Sequence, residues 1–355
     1  MVRFLHIFPI DSPVFTRVLI EMINQNCPNA HSEHLFYCAG EKNFRTLSAE
    51  HPNVRHTELS RKRLMEFSQQ AEHLILHSLF LSSRDIRRLP NSFFDHATWC
   101  VWGHDLYHRF KQGGNWMHRL KGRIAINKLR HLEAISIGFK YDSREIRRIL
   151  GEEVRILPAL YGSGYYHEDI DAVEAPVRDS RALEIMVGHC AYETFNHLPN
   201  LDRLVAYRDE NIRINLVLSY GDAAYRERVI AHARSLFREE QLHIQTEMLS
   251  PSEYIRFLKG MDVVVMDFER QAAFGNLITI AYLKKKLFLS PTGIMSRAFR
   301  EEGIPIFDCR SIGSISFEEF TAPGPDYSIR DYIFPLLDKP TIIAQWKNLF
   351  DELTK

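Results

Sequence analysis

The 355-residue sequence contains no Cys-x-x-Cys pair and no His-Glu-x-x-His. Its five cysteines, Cys27, Cys38, Cys100, Cys190 and Cys309, are odd in number and widely spaced. That pattern excludes a disulfide framework and a zinc knuckle, and fits thiols kept reduced. No apolar run approaches the roughly 20 residues of a membrane-spanning helix. The opening MVRFLHIFPIDSP is too short in apolar residues for a secretory signal and reads as a first buried strand, so export is not expected. Net charge is also missing: 45 Lys+Arg balance 45 Asp+Glu, which excludes a dedicated nucleic-acid binder. The seventeen histidines are scattered. His104 and His108 have the four-residue spacing of helical metal ligands, but they surround what reads as a strand end. No metal or other cofactor is expected.

What is present is alternation. Strand-like runs at 3–10, 34–40, 73–79, 97–103, 131–138 and 154–161 are separated by helical patterns at 14–25, 60–71, 83–89, 116–130 and 142–150. Residues 163–180, with one glycine, one proline and five acidic residues, lose the rhythm and read as a linker. Alternation resumes with strands at 183–189, 213–221, 242–249, 263–268, 287–290 and 305–308, and helices at 225–237, 252–260, 275–286 and 295–302. Two doubly wound, parallel-sheet α/β domains are therefore expected, 1–162 and 181–338. An amphipathic tail helix, 339–355, would return to the first. Ligands of such domains bind beyond the carboxyl ends of the strands.

Three such ends stand out in the second domain. In FERQAAFGN (268–276), Arg270 and Gln271 precede Gly275-Asn276 at the start of a helix, a place where backbone N–H groups and a guanidinium can hold a diphosphate. A solvent arginine and an ordinary helix cap would give the same letters. VGHCAYETFNH (187–197) offers Gly188, His189, Asn196 and His197 after a strand. LSYGD (218–222) offers Tyr220, suited to stacking on a base, and Gly221. In the first domain, Asp105 in WGHDLY (102–107) is placed as a general base for a hydroxyl, or equally as a cap of the next turn. His77 and His104 lie at the same edge. Asp169-Ile170-Asp171 matches a metal-binding D-x-D but follows no buried strand, and that reading is rejected.

From Leu106 to Leu132 there is no acidic residue. Trp116, Met117, Leu120 and Ile124 share one helical sector, with Arg119, Arg123 and Arg130 on one flank and Lys121 and Lys128 on the other. An apolar stripe between basic margins suits an anionic membrane surface. Packing of the stripe on the domain's own sheet explains it as well.

Trp102-Gly103, Asp105-Leu106-Tyr107, Leu218 to Asp222, and Arg270-Gln271 with Gly275-Asn276 together resemble glycosyltransferase family 56, the family of TDP-N-acetylfucosamine:lipid II N-acetylfucosaminyltransferases. Order and spacing agree from about residue 70 to 290. His189 and Cys190 replace the family's Asn and Ser, a change that bears on which sugar is transferred. The resemblance implies a GT-B fold with the nucleotide-sugar donor held by the second domain. It also implies a lipid-linked or oligosaccharide acceptor on the first, and metal-independent transfer at the cytoplasmic face of a bacterial inner membrane. Gly188, His189, Asn196, His197, Tyr220, Gly221, Arg270, Gln271, Gly275 and Asn276 would line the donor pocket, with Arg270 and Asp105 catalytic. His77, His104 and the 116–130 helix would face the acceptor or membrane. A nucleotide-sugar epimerase and a non-catalytic sugar-nucleotide-binding scaffold are the alternatives.

The charge balance is a sum of opposites. Residues 1–162 hold 23 Lys+Arg against 16 Asp+Glu, and the remainder 22 against 29. The first half is thus the one drawn towards anionic headgroups.

Overall fold

The structure is a computed structural model that describes residues 1–9, 13–28, 31–39, 44–79, 81–107, 116–161, 165–178, 182–324 and 333–355. The chain divides into two compact units, Met1–Gly164 with Lys339–Lys355, and Tyr165–Asp338.

The first unit is built on β1 (Val2–Phe8), β2 (Ser32–Cys38), β3 (Val54–His56), β4 (His73–His77), β5 (Ala97–Cys100), β6 (Ala134–Ser136) and β7 (Ile156–Leu157). The second is built on β8 (Leu183–Val187), β9 (Ile212–Val217), β10 (Leu242–Gln245), β11 (Val263–Met266), β12 (Lys286–Leu289) and β13 (Phe307–Asp308). The sheet orders are β3-β2-β1-β4-β5-β6-β7 and β10-β9-β8-β11-β12-β13, and every pairing is parallel. These are two Rossmann-like, doubly wound sheets, the fold class expected from the alternation. Helices cover both faces, so central strands such as Val263–Met266 are buried throughout and read as unbroken apolar runs. Strand order reverses between β1 and β4 and again between β8 and β11. Those two reversals are where such sheets open a crevice for ligands.

Each unit has its own core. Trp99, Phe67, Phe93 and Phe94 fill the first, and Phe288, Phe320, Leu216 and Val265 the second. The helix Lys339–Leu353 belongs to the first unit, where Trp346 and Phe350 are buried and Trp346 Nε1 donates to the Leu160 carbonyl at 2.8 Å. Burying each such aromatic contributes about 1.5–3 kcal/mol.

Two local readings change. The stretch 163–180, read as a linker, contains a helix, His167–Ala172, that buries Ile170 in the second unit and donates from His167 N to the Leu337 carbonyl. The three-residue edge strand β3 has no apolar alternation, because two of its three side chains face solvent.

Candidate active site

In the second unit the chain leaves β8 through Gly188, whose φ is +67° and whose N–H donates to the Val265 carbonyl at 2.9 Å. Only glycine fits: a Cβ there would lie 2.1 Å from Nε2 of His197. The turn runs past His189 and Cys190 to a bridge between Ala191 and Gly221. Gly221, at φ +121°, lets the turn after β9 press on the Ala191 carbonyl, which accepts from Asp222 N at 2.8 Å. Asp222 then caps the helix Ala223–Leu236 through Tyr225 N. The two turns are thereby clamped together. Tyr220 is left 43% exposed, close to Cys190.

Beyond β11, Asp267 and Phe268 are buried and Arg270 reaches solvent. The Arg270 guanidinium carbon lies 5.7 Å from the centre of the Phe195 ring, a cation–π contact that holds it over the switch point. Among the described residues no carboxylate pairs with it. Gln271 and Ala272 lead to Ala273, at φ +55°, the N-cap of the helix Phe274–Tyr282. Gly275 and Asn276 therefore stand in its first turn and do not cap it. No side chain caps this helix, in contrast to those begun by Asp222, Ser250 and Ser316. An uncapped helix start beside an arginine that no described carboxylate pairs with has the polarity that suits an anion.

Asn196, at φ +47°, turns its amide to the Asp267 carbonyl at 3.2 Å, so it braces the two strand ends against each other. His197 is buried with Nδ1 near the Tyr225 hydroxyl at 3.3 Å and Nε2 unpartnered. His189 packs edge-on to Phe195 with Nδ1 unpartnered. Burial lowers both pKa values, to about 3 for His189, aided by His197 and Arg270, and to about 4 for His197. Both rings are neutral at physiological pH. Burial also pushes the Cys190 thiol up to about 11, so it is no nucleophile.

In the first unit, Asp105 is buried and accepts from Leu79 N (2.7 Å), Trp99 Nε1 (2.7 Å), Trp102 N (3.0 Å) and Leu106 N (3.1 Å). A carboxylate has about four acceptor positions. All are taken, and Asp105 fastens the ends of β4 and β5 instead of standing ready as a base. His77 is fully buried, not on the surface, while His104 is exposed; His108 lies outside the described residues. On the helix Trp116–Leu129, Leu120 and Ile124 are 49% and 38% exposed, and Arg123 is exposed beside them. Lys128 and Arg130 are committed to the unit, to Asn91 Oδ1 and the Leu150 carbonyl, so they are not free margins of the stripe. The side chains of Trp116, Arg119 and Lys121 lie outside those described.

The family model described as 4-alpha-L-fucosyltransferase, glycosyl transferase group 56, matches residues 1–313. The chain belongs to glycosyltransferase group 56. As a group 56 member it is a glycosyltransferase of GT-B fold. Similar solved structures include Anabaena HepE in complex with UDP and glucose, at 12% identity and TM-score 0.66 over 99% of this chain and 100% of that one. Sucrose-phosphate synthase from Thermosynechococcus elongatus matches at 12% and 0.66 over 100% and 99%. UDP-GlcNAc 2-epimerase from Neisseria meningitidis, bound to UDP-GlcNAc, matches at 9% and 0.54 over 99% of each.

Several parts of this group 56 site escaped the sequence. Phe195, under both Arg270 and His189, reads as one more apolar residue. Asn200 and Arg203 reach Asp267 at 3.5 and 3.4 Å; their spacing from Asn196 on one helix face was the available signal. Glu269 accepts from Ser290 and Thr292 and lies 3.7 Å from Arg310. Asp169 and Asp171 are engaged separately, by Tyr166 N and the Tyr282 hydroxyl. Among the described residues, Glu21, Glu50 and His51 alone are close enough together for a metal, and Arg17 already reaches both carboxylates.

Proposed function

We propose that this glycosyltransferase moves a deoxy- or amino-sugar, such as N-acetylfucosamine, from a nucleoside-diphosphate donor, TDP-linked, to a lipid-linked or cell-surface saccharide. It would work as a peripheral protein on the cytoplasmic face of a bacterial inner membrane. One observation carries the donor half. At the β8/β11 reversal an arginine with no carboxylate partner among the described residues stands beside a helix start that no described side chain caps. The UDP bound by HepE, a protein of similar fold, supports the same reading.

Chemistry follows from charge. As the sugar–oxygen bond breaks, negative charge accumulates on the departing diphosphate. Arg270 would meet it with a bidentate fork, and the first-turn N–H groups at Gly275 and Asn276 with the helix dipole. Gly188 and Gly221 let the two strand-end turns close on His197 and Ala191, and Tyr220 offers a ring face to the base. These groups supply the positive charge that other transferases draw from a divalent ion, so activity should survive chelation. Asp267 and Glu269, the carboxylates an epimerase would need near the donor sugar, are both tied to neighbouring side chains.

A thermal-shift screen of TDP-, UDP- and GDP-sugars tests the donor. A ligand at a hundred times its Kd stabilises by about 2.7 kcal/mol. Arg270→Ala should weaken binding about 10- to 100-fold, since a charge-assisted hydrogen bond contributes about 1.5–3 kcal/mol. Unchanged affinity in that variant, or no shift with any donor, refutes the assignment.

A further inference from the structure

Three imidazoles on three neighbouring strands of the first sheet are strung together inside the unit. His34 Nδ1 lies 3.0 Å from His6 Nε2, and His6 Nδ1 lies 2.9 Å from His77 Nε2. Register makes the string diagonal. His34 on β2 is level with Phe4, His6 is two residues further along β1, and His77 ends β4 at the carboxyl edge. Phe8 stacks on His77 with centroids 4.0 Å apart, and Phe350 meets His34 edge-on at 4.5 Å. Burial lowers the pKa of each ring, so all three are neutral.

Counting protons gives the string its interest. A neutral imidazole carries one N–H. Three rings carry three protons, and the two hydrogen bonds use two of them. The third must sit at one end, on His77 Nδ1 or on His34 Nε2. Both atoms are buried and neither has a partner. The string therefore has two forms of opposite polarity, each with a bare lone pair at one end and an N–H at the other. A purely structural cluster would close its ends, because an unpaired buried polar atom costs about 1–3 kcal/mol.

Nothing packed around the rings pins either form. From β4 comes His73, stacked on Phe4 and paired with Glu133. The tail helix contributes Phe350 and Trp346, and the Trp346 N–H is spent on Leu160. Tyr161 lies edge-on to His77, and its hydroxyl and that of Ser78 are buried and unpartnered, polar groups of the kind that hold a bound water. Among the described residues no carboxylate or cation pairs with His6, His34 or His77.

We propose that His77, His6 and His34 form a proton relay from the carboxyl edge of the first sheet, at its β1/β4 reversal, to the surface hollow beside His34. This rests on the reading that the first unit takes the acceptor, whose hydroxyl loses a proton as the new glycosidic bond forms. Bare Nδ1 of His77 takes that proton through the bound water. The His77 Nε2 proton passes to His6 Nδ1, the His6 Nε2 proton to His34 Nδ1, and the buried His34 Nε2 gives its proton to a water entering from the hollow that His34 lines with Asn24, Glu33 and Asn53. Three protons remain and each ring has exchanged tautomer. The string resets when the edge is empty: water takes the proton on His77 Nδ1 and solvent returns one at His34 Nε2. The three histidines are positioning and relay residues; none touches substrate.

Full-length protein with 15N-labelled histidine tests the string directly. Long-range 1H–15N spectra should show both nitrogens of His6, His34 and His77 averaged between protonated and bare values. One frozen tautomer on each ring overturns the relay. In transfer assays, with the donor from the thermal screen and a lipid extract as acceptor, His6→Phe cuts the string at its centre. It should lower kcat about a hundredfold, leave KM for the donor unchanged and alter the solvent-isotope effect. Wild-type kcat and pH profile in His6→Phe also overturn the relay. If His6→Phe does not fold, His34→Phe at the partly exposed end cuts the outer link and is held to the same outcome. Absence of transfer by the wild type with every donor overturns the functional reading instead, and the spectra still decide the string.

Discussion

Gly188 and His197 occupy adjoining space so closely that a Cβ on the glycine would stand 2.1 Å from the imidazole Nε2. The contact joins the end of β8 to the first residue of the helix His197–Leu204, and so sets where the turn after β8 lies. Gly188→Ala should cost roughly 1–2 kcal/mol for its left-handed backbone alone, and more for the clash. His197→Ala removes the ring, so the double variant should lose less than the sum of the singles. A coupling above about 1 kcal/mol is expected in denaturant melts, where independent sites add within about 0.3–0.5 kcal/mol. Simple additivity would show that the ring yields freely and that the contact orders nothing.

Asp105 is the residue for which stability and chemistry part company. Its carboxylate accepts two turn N–H groups, the Leu106 N–H and the Trp99 indole. Asp105→Ala leaves Leu79 N, Trp102 N and the Trp99 indole unsatisfied, while Leu106 N keeps the Gly103 carbonyl, and should destabilise the protein by about 3–5 kcal/mol at about 1–3 kcal/mol for each lost partner. Asp105→Asn, which puts an NH2 among donors, should cost less but still be measurable. Corrected for the folded fraction, donor binding by the Asn variant should match wild type. A normal melting temperature with abolished turnover would restore Asp105 as the base.

Acid should unfold the protein early. His34, His189 and His197 are held by burial at about 4, 3 and 4, against about 6.5 for a free imidazole. The unfolded chain binds protons at these positions that the native state refuses. Stability is therefore full above pH 6.5 and falls as pH drops from 6.5 towards 4, by up to about 1.4 kcal/mol per pH unit for each ring. His189→Asn removes one such proton and should flatten the dependence of stability on pH over that window. At pH 5, close to those lowered values, a nucleoside diphosphate beside His189 and His197 opposes the effect of burial, so its binding should draw a proton from the buffer. Calorimetry in two buffers of different ionisation enthalpy reads that uptake; identical heats would place the anion away from both rings.

Periodicity and strand-end chemistry made much of this legible in advance. Unbroken apolar runs such as Val263–Met266 mark the buried parallel strands, and Gly188 and Gly221 mark turns of positive φ. What stayed hidden depends on contacts between distant residues. Nothing near Asp105 in sequence says that Leu79 N, 26 residues away, will occupy its carboxylate. Likewise His6, His34 and His77 are separated by up to 71 residues and meet only through sheet order and register. The short edge strand β3 escaped for a different reason: three residues with one buried side chain carry no period.

The helix Trp116–Leu129 offers the membrane half of the proposal a direct test. Ala125 and Leu129 are buried against the unit, whereas Leu120 and Ile124, four residues apart, stand on the solvent side with Arg123 between them. An apolar pair left in water beside an arginine suits the headgroup boundary of an anionic bilayer. Each fully buried side chain of this size is worth about 1.5–3 kcal/mol. Leu120→Gln with Ile124→Gln should thus weaken sedimentation with anionic vesicles about tenfold or more. The melting temperature should hold, because neither side chain belongs to the core. Raising salt should weaken wild-type binding further, as screening removes the basic contribution. Equal binding by the double variant would place the membrane contact on another face of the first unit.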